Sequence, residues 1–348
     1  MLVSVIITTK NEEKNIGNCL QSIRTQSYPQ DKIEIIVVDN NSTDKTKEII
    51  RSFCHSLRTR HSEQSEESHI QLFNRGPERS TQRNFGMIDI AKGKYVMFVD
   101  ADMILSPCLI ESCVKKMEQE NANFNLRQSA ESADLNSTNS KPTVALHIPE
   151  IVLGKKYFSK VRRFERRFYD GTVIDGARFF LKEVFIKVGG FDESMSGPED
   201  WDIDKQIKQI GKIGLLNYEG ANCNSPDWEL YGFIKERGVD PKDCGTVIYH
   251  NEDEFDIKKY LQKKTYYAKS FNTYINKWGN NDPDIKKQFG FWYRYLVIFL
   301  EEGKWKRLIT HPILVFGMYY LRFMIGIKFL IMRNRTNNQL TITLRKSA

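Results

Sequence analysis

Two short runs near the start of the chain restrict its fold more than any other feature. Val3–Thr9 (VSVIITT) and Ile33–Asp39 (IEIIVVD) consist almost wholly of apolar, mostly β-branched residues, without the polar alternation of a half-exposed strand. Such runs belong to strands covered on both faces. The first precedes a helical pattern, with Asn11 as expected N-cap and Ile16, Leu20 and Ile23 on its inner face. After the second, Ser42 offers a cap for a helix through about Phe53. A third run, Tyr95–Asp100 (YVMFVD), follows a helical stretch at 79–90. Parallel strands need crossover connections, which are usually helices. Strand and helix alternating over the first 120 residues predict an α/β fold, a mostly parallel sheet with helices on both faces.

The alternation is broken twice. Residues 55–68 (HSLRTRHSEQSEES) and 125–141 (NLRQSAESADLNSTNSK) carry almost no large apolar side chains. They cannot bury enough surface to offset their ordering entropy, and mobile surface insertions are expected there. Further strands are expected at 143–148, 177–181, 213–216 and 246–249, a helix at 200–210, and long helical character at 256–277. The expected organisation is one unit over 1–255, with halves at 1–120 and 143–255, and a helical extension over 256–348.

With 348 residues, 40% hydrophobic and 28% charged, the composition excludes collagen-like, coiled-coil and wholly disordered chains. A mean hydropathy of −0.49 excludes a polytopic membrane protein. The six cysteines show no C-x-x-C pair and no metal-ligand spacing, and no charged, apolar leader opens the chain. A reducing cytosol without a disulfide framework is the expectation. The net charge of +8 has a location: residues 281–348 hold 12 Lys/Arg against 4 Asp/Glu, and the remainder is balanced. That tail is also the most apolar and aromatic part of the chain, which suits a membrane surface better than nucleic acid. Its 309–332 stretch is long enough to span a bilayer, but Arg322 lies near its centre and Pro312 opens it. Lying in the membrane interface is the first expectation, with spanning, or packing on the rest of the protein, as alternatives.

In open parallel sheets, ligands bind beyond the carboxyl ends of the strands. Three strands end there in polar residues: Thr8-Thr9, Asp39-Asn40-Asn41 and Asp100-Ala101-Asp102. Neither G-x-G-x-x-G nor G-x-x-x-x-G-K-[ST] is present, which argues against dinucleotide-binding and P-loop sites. Alternate carboxylates at a strand end suit Mg²⁺ or Mn²⁺, which are held by one or two carboxylates together with substrate phosphates. Glu199-Asp200-Trp201-Asp202 is a second acidic cluster, at a helix start where carboxylates also stabilise the dipole.

VSVIITTKNEEKNIGNCLQSI, IIVVDNNSTDKT, RNFG, GKYVMFVDADM and GFDESMSGPEDWDI, in that order, resemble family 2 glycosyltransferases of the GT-A fold. The resemblance implies inverting transfer from a nucleoside diphosphate sugar with Mn²⁺ or Mg²⁺ at the diphosphate. It implies that Thr8, Thr9 and Glu12 line the nucleoside pocket, Asp39 bonds the base (most often uracil), and Arg83 lies near the nucleotide. Asp100 would approach the ribose and Asp102 the metal. Asn40 and Asn41 stand where the family commonly shows a second carboxylate. Asp200 matches the general base, with Glu199 helping to bind the acceptor. Trp201 is read equally as an acceptor-stacking or a core residue, His250 as a third metal contact or a structural histidine, and Arg178 as an acceptor-side or phosphate-side residue or a strand-end surface charge.

The expected function is metal-dependent sugar transfer at the cytoplasmic face of the membrane, to a hydroxyl of a lipid-linked or glycan acceptor. Partners are then the sugar nucleotide, the acceptor and the membrane surface, not nucleic acid. The rivals are a polyprenyl-phosphate hexose synthase, whose ionised acceptor needs no base, and a non-catalytic nucleotide-sugar or membrane-binding module.

Overall fold

A computed structural model describes residues 1–58, 70–131, 141–217 and 224–346. Its strands are β1 Val3–Thr9, β2 Ile33–Asp39, β3 Ile70–Asn74, β4 Tyr95–Asp100, β5 Met103–Leu105, β6 Thr143–His147, β7 Glu150–Leu153, β8 Ala177–Leu181, β9 Lys212–Leu215 and β10 Ile248–Asn251. Seven form one sheet in the order β3-β2-β1-β4-β8-β6-β9. Here β3, β2, β1 and β4 run parallel, β8 is antiparallel to both neighbours, and β6 and β9 are parallel. The mostly parallel α/β architecture expected from the sequence is present. A second sheet, β5-β10-β7, stands apart from it.

Every residue of β1 and β2 is buried, as runs without polar alternation require. One sheet face carries Val5, Ile7, Val37 and Val99 against Leu20 and Ile23 of helix Ile16–Arg24. The other carries Ile6, Ile36, Val38 and Phe98 against Met87, Phe185 and Ile203. Burying a Val, Leu, Ile or Phe side chain contributes about 1.5–3 kcal/mol, so these two layers fix the sheet's position between its helices.

Chain order reverses between β1 and β4, and there the register sets Thr8 beside Asp100, while Thr9 lies beside Asp39 on the other flank. Neither predicted cap is one. Asn11 has a left-handed backbone (φ 55°), its N–H donates to Ser42 Oγ (2.8 Å), and its side-chain carbonyl accepts from Thr43 N–H (2.8 Å). Asn11 and Ser42 therefore tie together the two loops above β1 and β2, and the helices begin later, at Ile16 and Thr46. The 79–90 stretch is a helix to Asn84 followed by a wider π turn, Phe85–Ile90.

The first insertion begins inside helix Thr46–Arg58, and most of it lies outside the described residues. The start of the second belongs to helix Leu109–Glu131, and 132–140 also lie outside. The 256–277 stretch divides into helices Ile257–Ala268 and Phe271–Trp278. Cys108 is disulfide-bonded, contrary to the expectation of none, because cysteine spacing says nothing of which residues the fold brings together. Cys19, Cys113 and Cys244 are free thiols.

The chain closes on helix Pro312–Lys346, which packs against helix Tyr157–Arg166. Met318 and Leu321 enter a cluster with Val161, Phe164, Phe168 and Phe299. Arg322, the charge that argued against spanning, is buried there, its Nε 3.0 Å from Glu165. Among the described residues no helix is long and apolar enough to cross a membrane. Packing on the rest of the protein, the third alternative, is thus seen for one face of this helix.

Candidate functional site

The two acidic centres seen in the sequence meet on one arginine. Arg83 leaves helix Arg79–Asn84 beneath the sheet edge and is 1% exposed. Its Nη2 reaches Asp100 Oδ1 at 3.2 Å and its Nη1 reaches Asp200 Oδ1 at 3.0 Å. The guanidinium lies 3.9 Å from the Phe98 ring centroid, so it is sandwiched as well as paired. So buried, Arg83 is not part of a surface ion pair. Thr8 Oγ1 donates to the same Asp100 oxygen at 3.0 Å. Burial disfavours the Asp100 carboxylate, but Arg83, Arg79 and Arg178 outweigh it and hold its pKa far below the usual range.

Glu199 and Asp200 open helix Glu199–Ile210, and two glycines let the chain approach closely there. Gly197 has φ +106°, and a Cβ would fall 2.5 Å from Tyr267 Cβ. A Cβ on Gly176 would fall 2.8 Å from Asp200 Cβ. Asp200 is about a third exposed and lines the central cavity. Glu199 is buried at 3.2 Å from Arg79 Nη2, and burial and the neighbouring Asp200 raise its pKa. The two carboxylates thus differ: Glu199 is an internal anchor, and Asp200 faces the cavity. Asp202 is internal too, bonding Trp278 Nε1 (2.7 Å) and Lys277 Nζ (2.8 Å).

Asp102 sits where β4 gives way to β5. Its Oδ2 lies 3.1 Å from His250 Nε2, and its Oδ1 is buried with no hydrogen-bond partner. His250 Nδ1 lies 2.8 Å from Glu150 Oε1. Burial lowers the imidazole pKa, but Asp102 and Glu150 reverse that and raise it well above its ordinary value. Glu150 also pairs with Arg178 (3.2 Å) and Arg166 (3.5 Å). Among the described residues no group of three or more His, Cys, Asp and Glu side chains is arranged to hold a metal. The orphan Oδ1 beside an imidazole nonetheless fits a hard divalent ion that takes one or two protein ligands and completes its shell with substrate phosphate.

The remaining expected residues divide. Thr9 is buried, with its hydroxyl unpartnered. Glu12 is half-buried, accepts from Asn15 (2.7 Å), and has its pKa raised by burial and then by Asp102 and Asp100. Asp39 is fully buried, and its two oxygens are engaged by the Ser42 hydroxyl and by Ser42 N–H (2.8 Å). It shapes the loop after β2, and a base contact would have to use its spare lone pairs. Trp201 donates to Ile174 O (3.0 Å) and packs with Phe271 and Phe289, yet also lines the cavity, so both readings hold in part. Arg178 is a largely buried cavity residue beside Glu150, its side chain 12% exposed, and not a surface charge. Arg79, Glu150, Arg166 and Lys263 were not foreseen. Each is a single charged residue in an ordinary context, and only tertiary structure brings them to the cavity.

This is an open α/β sheet with a charged crevice at its switch point. Residues 4–189 match the model of glycosyl transferase family 2, and the chain belongs to that family. It is 35% identical over 102 residues to the poly(ribitol-phosphate) beta-N-acetylglucosaminyltransferase TarS of Staphylococcus aureus, covering 29% of this chain and 16% of that protein. With the glycosyltransferase AglE of Haloferax volcanii it shares 55% identity over 51 residues, 15% of this chain and 17% of that one. GlyA of Streptococcus pneumoniae is 31% identical over 219 residues, 62% of this chain and 27% of that one. The matched stretches thus span less than a third of these relatives' lengths. Among solved structures, the mannosyltransferase PcManGT of Pyrobaculum calidifontis, in complex with GDP-Man and Mn²⁺, is 17% identical with a TM-score of 0.48, covering 94% of this chain and 79% of that one.

Proposed function

We propose that the protein transfers a sugar from a nucleoside diphosphate sugar to an acceptor hydroxyl, with inversion and with Asp200 as general base. One observation carries this: Arg83 bonds Asp100 and Asp200 through its two terminal nitrogens, so the strand-end carboxylate and the cavity carboxylate are held in one frame. An inverting displacement needs one carboxylate to take the acceptor proton as its oxygen attacks the anomeric carbon. Asp200 is the more exposed of the two, 31% against 22%, and pairs with none of the metal-side residues. On this reading Thr8, Thr9 and Glu12 line the nucleoside pocket and Asp39 bonds the base, with uracil the base expected. Asp102 and His250 would hold Mn²⁺ or Mg²⁺, which would neutralise charge on the leaving diphosphate. Glu150 orients His250 from its far side.

The proposed location is the cytoplasmic face of a membrane, with a lipid-linked or glycan acceptor. Ile313, Phe316, Phe323, Phe291, Trp292 and Trp305 are large exposed apolar residues grouped in the basic tail. That surface supports peripheral contact with an anionic bilayer. Exchanging Asp200 for Asn tests the chemistry: product formation should collapse while donor affinity holds. Retained transfer would favour a phosphate acceptor, which needs no base.

A further inference from the structure

The cavity holding Asp200 does not end at the sheet edge. About 370 Å³ in volume, it continues between helices Tyr157–Arg166 and Ile257–Ala268 to Arg294, Arg322 and Lys328. At this inner end Arg162, Lys264, Arg294 and Arg322 face, among the described residues, only two carboxylates, Glu165 and Glu252. Glu165 is already shared, 3.0 Å from Arg322 Nε and 3.1 Å from Arg162 Nη1, and Glu252 lies 3.5 Å from Arg162 Nε. Among the described residues no carboxylate pairs with Arg294 or Lys264. Arg294 Nη1 is buried without an acceptor, as is Arg178 Nη1 nearer the catalytic end. Burial, with repulsion from Arg162 and Arg294, pushes Lys264 down to about 7. Buried cations are normally paired, so this wall lacks an anion.

We infer that the inner end of the cavity binds a phosphate or diphosphate group carried by the acceptor, between Arg294, Lys264 and Arg162, while the acceptor hydroxyl lies at Asp200. The inference rests on the transferase reading. Its geometry is the continuity of one cavity lined by Asp200 at one end and the unpaired cations at the other. Guanidinium and ammonium groups together suit a phosphate's several oxygens. The phosphate can be lipid-borne, beneath the exposed apolar face of the terminal helix, or part of a soluble acceptor.

The test is calorimetric titration of inorganic pyrophosphate into the full chain saturated with UDP or GDP. Wild type should bind, while Arg294→Gln and Lys264→Gln, each shown to melt like wild type, should bind about tenfold more weakly with nucleotide affinity unchanged. Equal pyrophosphate binding in both variants overturns the inference. A parallel loss of nucleotide affinity also overturns it, by assigning the cations to the donor's diphosphate. If neither nucleotide binds the wild type, the transferase reading fails, and pyrophosphate titrated alone still reports on the cation cluster. Displacement of pyrophosphate by phosphatidic acid vesicles marks a lipid-borne phosphate, and displacement only by a soluble hexose phosphate marks a soluble one. Displacement by neither contradicts the site.

Discussion

Arg83 shows how much chemistry one residue can organise. It is almost fully buried and joins Asp100 to Asp200, so removing it strands carboxylates beside each other. Arg83→Met should cost about 3 kcal/mol of stability, read from the denaturant midpoint, because breaking a buried pair leaves uncompensated charge. Arg83→Lys should restore part of this, since an ammonium keeps the charge but loses the two-pronged geometry. Asp200→Asn should lower kcat by about 10²–10⁴ with donor binding unchanged, the signature of a lost general base. A comparable loss of donor affinity would make Asp200 a structural cap. At this scale the sequence exposed Asp100, Asp102, Asp200 and Arg83, because each lies at a strand end or within a recognisable short motif. It could not expose Glu150 or Arg294, whose importance comes from neighbours that only the fold supplies: His250 for the first, Arg162 and Lys264 for the second.

At the scale of elements, the buried strands were legible because their composition leaves no polar face to misread. The caps were not: Asn11 and Ser42 have cap chemistry, but the fold uses their side chains to bind one loop to another. Short strands such as β5 and β7 have too few residues for a pattern. A further contact between elements joins β6 to helix Glu199–Ile210: His147 Nε2 lies 2.7 Å from Asp204 Oδ2, both buried. Burial lowers the imidazole pKa, but Asp204 and Asp175 outweigh it and raise it above 6.5, with Lys208 opposing. A raised value means that this pair's stabilisation is complete below about 6.5 and is lost as pH climbs through the folded-state value. Wild type should therefore lose more Tm than His147→Gln between pH 6.5 and pH 9. Equal slopes would show that the pair contributes nothing to the pH dependence.

For the whole molecule, the terminal helix has two apolar faces with different duties. Met318 and Leu321 pack inward, while Phe316 and Phe323 remain exposed. Deleting the helix would uncover the core and strip Glu165 of Arg322, so membrane binding is better tested on the outer face alone. Phe316→Gln with Phe323→Gln should leave the melting curve intact and weaken flotation with anionic vesicles. Undiminished flotation would remove this face from the membrane reading. The central claim, sugar transfer from a nucleotide donor at the Asp100–Asp102–Asp200 crevice, is tested most directly by nucleoside diphosphate release. A panel of UDP- and GDP-sugars, with Mn²⁺ and then Mg²⁺, should give cation-dependent release by wild type with at least one donor. Asp102→Asn should abolish that release without changing the fold. Release that persists at the wild-type rate in Asp102→Asn, or in the presence of EDTA, would contradict the account.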